Sequence, residues 1–108
     1  MVIDVLGTEY VVVETDQTKD PRLSNCDGFC DKTSKKIVIT KKPEDSDLDN
    51  WKWYRDKILR HEIIHAFFTE SGLQENFESK PYGVSETLVD WFAIQYQKIK
   101  KVFDELNI

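Results

Sequence analysis

The chain of 108 residues has the length of one domain, and its 40% hydrophobic and 32% charged residues are typical of a folded protein rather than a disordered one. The formal net charge of −5 argues against binding to duplex nucleic acid and to anionic membrane surfaces. The sequence contains no run of 18 apolar residues, and its N-terminal apolar stretch is interrupted by acidic residues and lacks a basic flank. These features predict a cytoplasmic protein without a membrane span or signal peptide.

The first 40 residues predict short β-strands. Residues 2–14 are rich in Val and Tyr on both sides of Gly7, a pattern that predicts a β-hairpin. The polar segment 15–25 predicts a loop. Residues 28–30 and 36–40 predict a second pair of strands. We therefore expect a small antiparallel β-sheet in this half of the chain.

A long helix is predicted over about residues 48–71, which contain no Gly or Pro. Asp47 or Asp49 is a plausible N-cap because a short carboxylate accepts hydrogen bonds from the first free backbone N–H groups. Gly72 lies where a helix commonly ends with a left-handed residue.

A second long helix is predicted over about residues 84–106, after a loop at 73–84. Strands followed by helices indicate an α+β fold in which the sheet packs on the two helices. We expect residues 1–108 to form a single domain of this class.

The motif with the clearest chemical meaning is His61-Glu62-Ile63-Ile64-His65, an HExxH sequence inside the first predicted helix. Residues four apart share one helix face, so the two imidazoles can bind one metal ion. Glu62 lies about 100° around the helix, where it can deprotonate a metal-bound water. This is the arrangement of a zinc hydrolase. His61 and His65 are the two histidines of the chain, and a chance pair on one helix face is the alternative interpretation.

A catalytic zinc requires three protein ligands and an open position. Without a further histidine, the third ligand should be a carboxylate, and the second predicted helix offers Glu86 and Asp90 on one face. We assign Glu86 as the third ligand and Asp90 as the carboxylate that accepts the free ring N–H of a ligand histidine. A solvated acidic face is the alternative.

The segments HEIIHAFFTESGL, ETLVDWFAIQ and GFCDKTSKKIVIT resemble small phage-associated and Gram-positive members of the ImmA/IrrE-like metallopeptidases. The resemblance covers nearly the whole chain. It implies a minimal zincin of the gluzincin type, located in the cytoplasm of a bacterial or phage-infected host cell. In this sequence, His61, His65 and Glu86 match the zinc ligands, Glu62 the general base and Asp90 the orienting carboxylate.

Three further features are predicted around the site. The oxyanion formed during peptide hydrolysis needs a donor, which can be a Tyr, Arg, Lys, backbone N–H or the metal, and Tyr82 is the nearest candidate in sequence. Zincins commonly bind substrate as an added strand on a sheet edge, and we predict the strand at 36–40 as that edge. Cys26 and Cys30 are expected to be free thiols because their spacing fits no complete zinc or redox motif.

The predicted function is zinc-dependent hydrolysis of peptide bonds by a metal-activated water, with Glu62 as general base. The expected cofactor is Zn²⁺ and the expected partner is a peptide or protein substrate. The main alternative is a catalytically silent zinc-binding module of phage or prophage origin that contacts a host or phage protein. Two histidines and a carboxylate also form the iron site of non-haem oxygenases, but an adjacent glutamate favours hydrolysis.

Overall fold

A four-stranded sheet lies against two long helices in the computed structural model, which describes residues 1–76 and 86–108, with side chains at 75–76, 86 and 89–90 excluded. The strands are β1 (Val2–Val5), β2 (Thr8–Thr15), β3 (Gly28–Asp31) and β4 (Lys36–Thr40), in the spatial order β1-β2-β4-β3. The α+β class predicted from the sequence is confirmed.

The sheet is mixed, so the prediction of an antiparallel sheet is wrong. Both predicted strand pairs form antiparallel hairpins, β1 with β2 and β3 with β4. They join through a parallel pairing in which Val11 of β2 lies opposite Lys36 of β4. The local sequence predicts each hairpin from its own strands and turn, but it contains no signal for how two hairpins align with each other.

The helix that carries the HExxH motif, α1, extends over Trp51–Glu70. Asn50 is its N-cap and accepts a hydrogen bond from the Trp53 backbone N–H at 3.0 Å, so the predicted caps Asp47 and Asp49 are wrong. Gly72 has a φ of +80°, as predicted for the residue that ends the helix.

The second long helix, α3, extends over Glu86–Leu106, close to the predicted 84–106. A short helix, α2 (Leu73–Asn76), occupies the start of the segment predicted as a loop, which corrects that prediction. Residues 77–85 lie outside the described part of the chain. Among the described helices, none is long and apolar enough to cross a membrane.

The main core lies between one face of the sheet and the two long helices. It contains Ile3, Val5, Tyr10, Val12, Ile37, Ile39, Ile58, Leu59, Ile63, Ala66, Phe67, Ile99 and Val102. The opposite face of the sheet is partly covered by a 3₁₀ helix, Pro21–Ser24, whose Leu23 is buried, as is Val38 of β4. The packing fixes the position of α1 against β3 and β4, which determines the geometry of the site.

Glu70, the last residue of α1, ties the helix to both hairpins. Its carboxylate accepts hydrogen bonds from the Tyr10 hydroxyl at 2.7 Å and the Thr8 hydroxyl at 3.1 Å, and it pairs with the Lys35 ammonium at 2.6 Å. These contacts, led by the hydrogen bond from Lys35, hold the pKa of Glu70 below its usual range. The Glu70 side chain is 14% exposed, so solvent screens the network only partly.

Glu70→Gln is expected to lower the free energy of unfolding by about 1.5–3 kcal/mol at pH 7, because it removes charge-assisted hydrogen bonds. A carboxyl whose pKa is depressed in the folded state stabilises above its unfolded pKa and loses this contribution as the pH falls through the folded pKa. The difference between the variant and the wild type should therefore shrink below about pH 4. Urea unfolding followed by tryptophan fluorescence at pH 7 and pH 3.5 measures it. An equal difference at both pH values would contradict this account.

Candidate metal centre and peptide groove

The two histidines of the HExxH motif converge on one point. The Nε2 atoms of His61 and His65 are 3.1 Å apart on the same face of α1, and their rings meet edge to face. Two nitrogens that each lie about 2.0–2.1 Å from a tetrahedral zinc are about 3.3–3.4 Å apart. The two nitrogens share a hydrogen bond at this distance, and the separation is close enough to the value for zinc that one metal ion would fit in place of that hydrogen bond.

The protonation state of His65 also suits a metal ligand. Partial desolvation, and then the neighbouring charge of His61, lower the pKa of His65 below its usual value. At pH 7 the imidazole is therefore mostly neutral. Only a neutral imidazole has a lone pair free to bind a metal.

Glu62 lies between the two histidines in sequence and is only 7% exposed. It lines the cleft beside α1, and among the described residues its carboxylate has no hydrogen-bond or ion-pair partner. Desolvation raises the pKa of Glu62 to about 7. A buried carboxyl with this pKa can both accept and release a proton near neutral pH, as a general base and acid must do.

The predicted third ligand lies in α3, but its side chain is not among those described. Within the described part of the chain, no group of three His, Cys, Asp or Glu side chains forms a metal site. Glu86 and Asp90 belong to the first turns of α3, and nothing is described of their side chains. Tyr82 lies outside the described residues.

The start of α3 nevertheless lies beside the half of α1 that carries His65. Trp91, which follows Asp90, packs on Phe68 with ring centroids 4.9 Å apart and donates a hydrogen bond from Nε1 to the Ser71 hydroxyl at 2.9 Å. Phe68 in turn meets the His65 ring edge to face, at 6.4 Å. The packing therefore brings the helix that carries the predicted carboxylates to the end of α1 that holds His65.

A cleft follows the boundary between α1 and β3 and contains the histidine pair. Its larger part has a volume of about 830 Å³ and its smaller part about 250 Å³, and His61, Glu62 and Gly28 line both. Arg22, Phe29, Lys32, Thr69 and Gln74 are among the residues that line the larger part. Lys57 and Ile58 line the smaller part and Gln74 lines the larger part, so the cleft extends along α1 beyond both histidines.

The strand that borders this cleft is β3, not the predicted strand at 36–40. Lys36–Thr40 is β4, which is paired on both sides, so the prediction of an edge there is wrong. The Thr40 N–H donates to the Asp27 carbonyl at 2.8 Å. Because antiparallel residues alternate in direction, the N–H and C=O groups of Gly28 and Cys30 point away from β4, to an edge that no other described strand pairs with. This edge offers main-chain partners to an extended peptide.

Gly28 allows β3 to approach α1 closely. A Cβ atom at this position would lie 2.8 Å from Ile58 Cγ2 and 3.0 Å from the Val38 carbonyl oxygen. The missing side chain therefore determines the distance between the free edge and the helix that carries His61 and Glu62. Sequence reasoning did not single out Gly28, since only the tertiary contact reveals its role.

For the peptidase activity predicted from the sequence, Gly28→Ala is expected to lower kcat/KM by about 10- to 100-fold, because displacing the edge by about 1 Å would misalign a bound substrate. Zinc content should not change, since no ligand is touched. Ile58→Leu removes the methyl group that the new Cβ meets and keeps the side-chain volume. The double variant should recover part of the lost activity. Steady-state kinetics of the four proteins test this, and equal rates in wild type and Gly28→Ala would contradict it.

Both cysteines are free, as predicted, and both line the cleft. Cys26 is exposed, and its thiol donates to the Arg22 carbonyl at 3.3 Å. Cys30 is half-buried, and burial, with a smaller effect of the nearby Glu62, raises the pKa of its thiol to about 11. The Cys30 thiol is therefore protonated at neutral pH and is a poor nucleophile or metal ligand.

Comparison of the chain with protein-family models, with curated proteins and with solved structures found no match.

Proposed function

We propose that this protein is a zinc-dependent metallopeptidase. The observation that carries the proposal is the pair of His61 and His65 Nε2 atoms, 3.1 Å apart, beside a buried Glu62 carboxyl that opens into the same cleft. Two metal ligands and a general base with this spacing on one helix suit hydrolysis by an activated water.

His61 and His65 would hold the zinc with a carboxylate from α3, for which Glu86 is the proposed residue and Asp90 its orienting neighbour. Zinc, when bound, supplies a Lewis acid that polarises the scissile carbonyl and promotes ionisation of water. Glu62 takes the proton from the attacking water on its carboxylate and then delivers it to the leaving amine.

The substrate is a peptide in extended conformation. Its main chain would pair with the N–H and C=O groups of Gly28 and Cys30 on the free edge of β3, as an added strand. This places the peptide in the cleft between β3 and α1, against the histidine pair. Tyr82 stays a proposed donor to the oxyanion.

The resemblance to ImmA/IrrE-like metallopeptidases supports the same activity and a cytoplasmic location in a bacterial or phage-infected host cell. A host or phage protein is the proposed substrate or binding partner. The alternative, a zinc-binding interaction module without turnover, shares the metal site but predicts no hydrolysis.

Chelation and zinc titration distinguish the two functions. The purified protein is stripped with a chelator, zinc is added back in steps, and a mixture of unstructured peptides is analysed for cleavage products by mass spectrometry. We expect cleavage to rise with zinc up to about one equivalent per chain. If the zinc-loaded protein cleaves no peptide in the mixture, the peptidase proposal fails and the interaction module is favoured.

A further inference from the structure

The Arg22 guanidinium and the Phe29 ring beneath it form a fixed flat surface at the side of the cleft, the Arg22–Phe29 plate. The guanidinium carbon lies over the Phe29 ring, 4.2 Å from the ring centroid. Arg22 follows the 3₁₀-helix cap Asp20, and Phe29 is in the edge strand β3. Both residues line the larger part of the cleft together with His61, Glu62 and His65.

Two carboxylates hold the edges of the guanidinium. Asp20 accepts from Arg22 Nε at 3.0 Å and from Nη2 at 3.0 Å, and Asp31 accepts from Nη1 at 3.2 Å. Asp31 is itself held by hydrogen bonds from the Thr33 N–H and hydroxyl. The orientation of the plate is therefore determined before any ligand arrives, which reduces the entropy lost on binding.

The Arg22 guanidinium stays accessible to a ligand. The Phe29 ring lies beneath it and the carboxylates occupy its edges, yet the Arg22 side chain is 53% exposed. The charge of the guanidinium is already balanced by its two carboxylates, and Lys36 acts on Asp20 from nearby, so the cluster has no excess positive charge to attract a further carboxylate. The flat, weakly hydrated face of an arginine is instead suited to stacking on an aromatic ring.

The register of β3 directs one substrate side chain to this plate. Along a strand, alternate side chains point to opposite faces of the sheet. Gly28 and Cys30 lie on the face that packs on α1, opposite the core residues Ile39 and Ile37. Phe29 is on the other face, and a residue of an added strand directly opposite it would lie on that face as well.

We propose that the Arg22–Phe29 plate is a specificity subsite that selects an aromatic side chain of the bound peptide. The inference rests on the proposed peptidase function, because it takes the cleft as the substrate site. Arg22 contributes its accessible guanidinium, and Asp20 and Asp31 keep it in place. The expected preference for an aromatic residue over a saturated one of equal size is about two- to fivefold, as for a cation–π contact at an exposed site.

The test uses zinc-loaded Glu62→Gln, so that peptides bind without turnover. The probes are alanine-based octapeptides in which phenylalanine is moved along the sequence, with cyclohexylalanine and glutamate as matched replacements. Affinity is measured by calorimetry, and the Arg22 Nε–H signal is followed by NMR. The Arg55 Nε–H, which also donates to a carboxylate, is the internal control.

One phenylalanine position should bind about two- to fivefold more tightly than cyclohexylalanine and more tightly still than glutamate. The same peptide should shift the Arg22 signal by its ring current and leave Arg55 unmoved. Arg22→Lys keeps the charge but loses the plate, and should abolish the preference. Equal affinities at every position, or an unmoved Arg22 signal, would overturn the subsite. If instead the Arg22 signal shifts while wild type cleaves no peptide, the subsite stands and the peptidase proposal fails.

Discussion

Glu62→Gln is expected to lower kcat for peptide hydrolysis by about 10²- to 10⁴-fold, the usual contribution of a positioned general base. The amide has nearly the shape of the carboxyl, but it cannot accept the proton of the attacking water or pass it to the leaving amine. Glu62 is not a proposed ligand, so the variant should bind zinc as well as the wild type. The measurement is kcat for a peptide that the wild type cleaves, at equal zinc content.

The same variant also excludes a contaminating protease. Wild type and Glu62→Gln purified in parallel carry the same contaminants, so background cleavage would be equal in both. Hydrolysis by Glu62→Gln at the wild-type rate, with zinc bound in both proteins, would therefore contradict the proposed role of Glu62.

His65→Ala is expected to weaken zinc binding strongly, because it removes a direct ligand. Loss of an outer-shell partner alone costs roughly 10- to 100-fold in metal affinity, and the loss of His65 should cost more than that. His61→Ala should have a similar effect, since the two Nε2 atoms converge on one point. Both variants should also lose peptide hydrolysis. Competition with a fluorescent zinc chelator gives the affinities.

Gln74→Ala is the matched control for the histidine variants. Gln74 lines the same cleft, but it is not a proposed ligand. Its replacement should leave zinc affinity within the error of the assay. If His65→Ala binds zinc as tightly as Gln74→Ala and wild type, His65 is not a ligand.

The parts of the site that the sequence predicts are those formed by local structure. His61, Glu62 and His65 lie within five residues of one helix, so their mutual geometry follows from helical periodicity. The hairpin turn at Gly7 follows in the same way from a residue with positive φ, here +91°.

The parts that the sequence does not predict depend on contacts between distant segments. β4 is an interior strand of the sheet because it pairs in parallel with β2, and this pairing leaves β3 as the edge strand among those described. The close approach of Gly28 to Ile58 joins residues 30 positions apart, and no periodicity signals it. The Arg22–Phe29 plate likewise requires the 3₁₀ helix to fold against the edge strand.

The most direct test of the central claim is the zinc content of the purified protein, measured by inductively coupled plasma mass spectrometry. Wild type, Glu62→Gln, His65→Ala and Glu86→Ala are prepared without chelators and then titrated with zinc. The proposed site predicts about one zinc per chain in wild type and Glu62→Gln, and a sharp loss in the other two. If wild type contains no zinc and takes up none on titration, the metallopeptidase proposal is wrong.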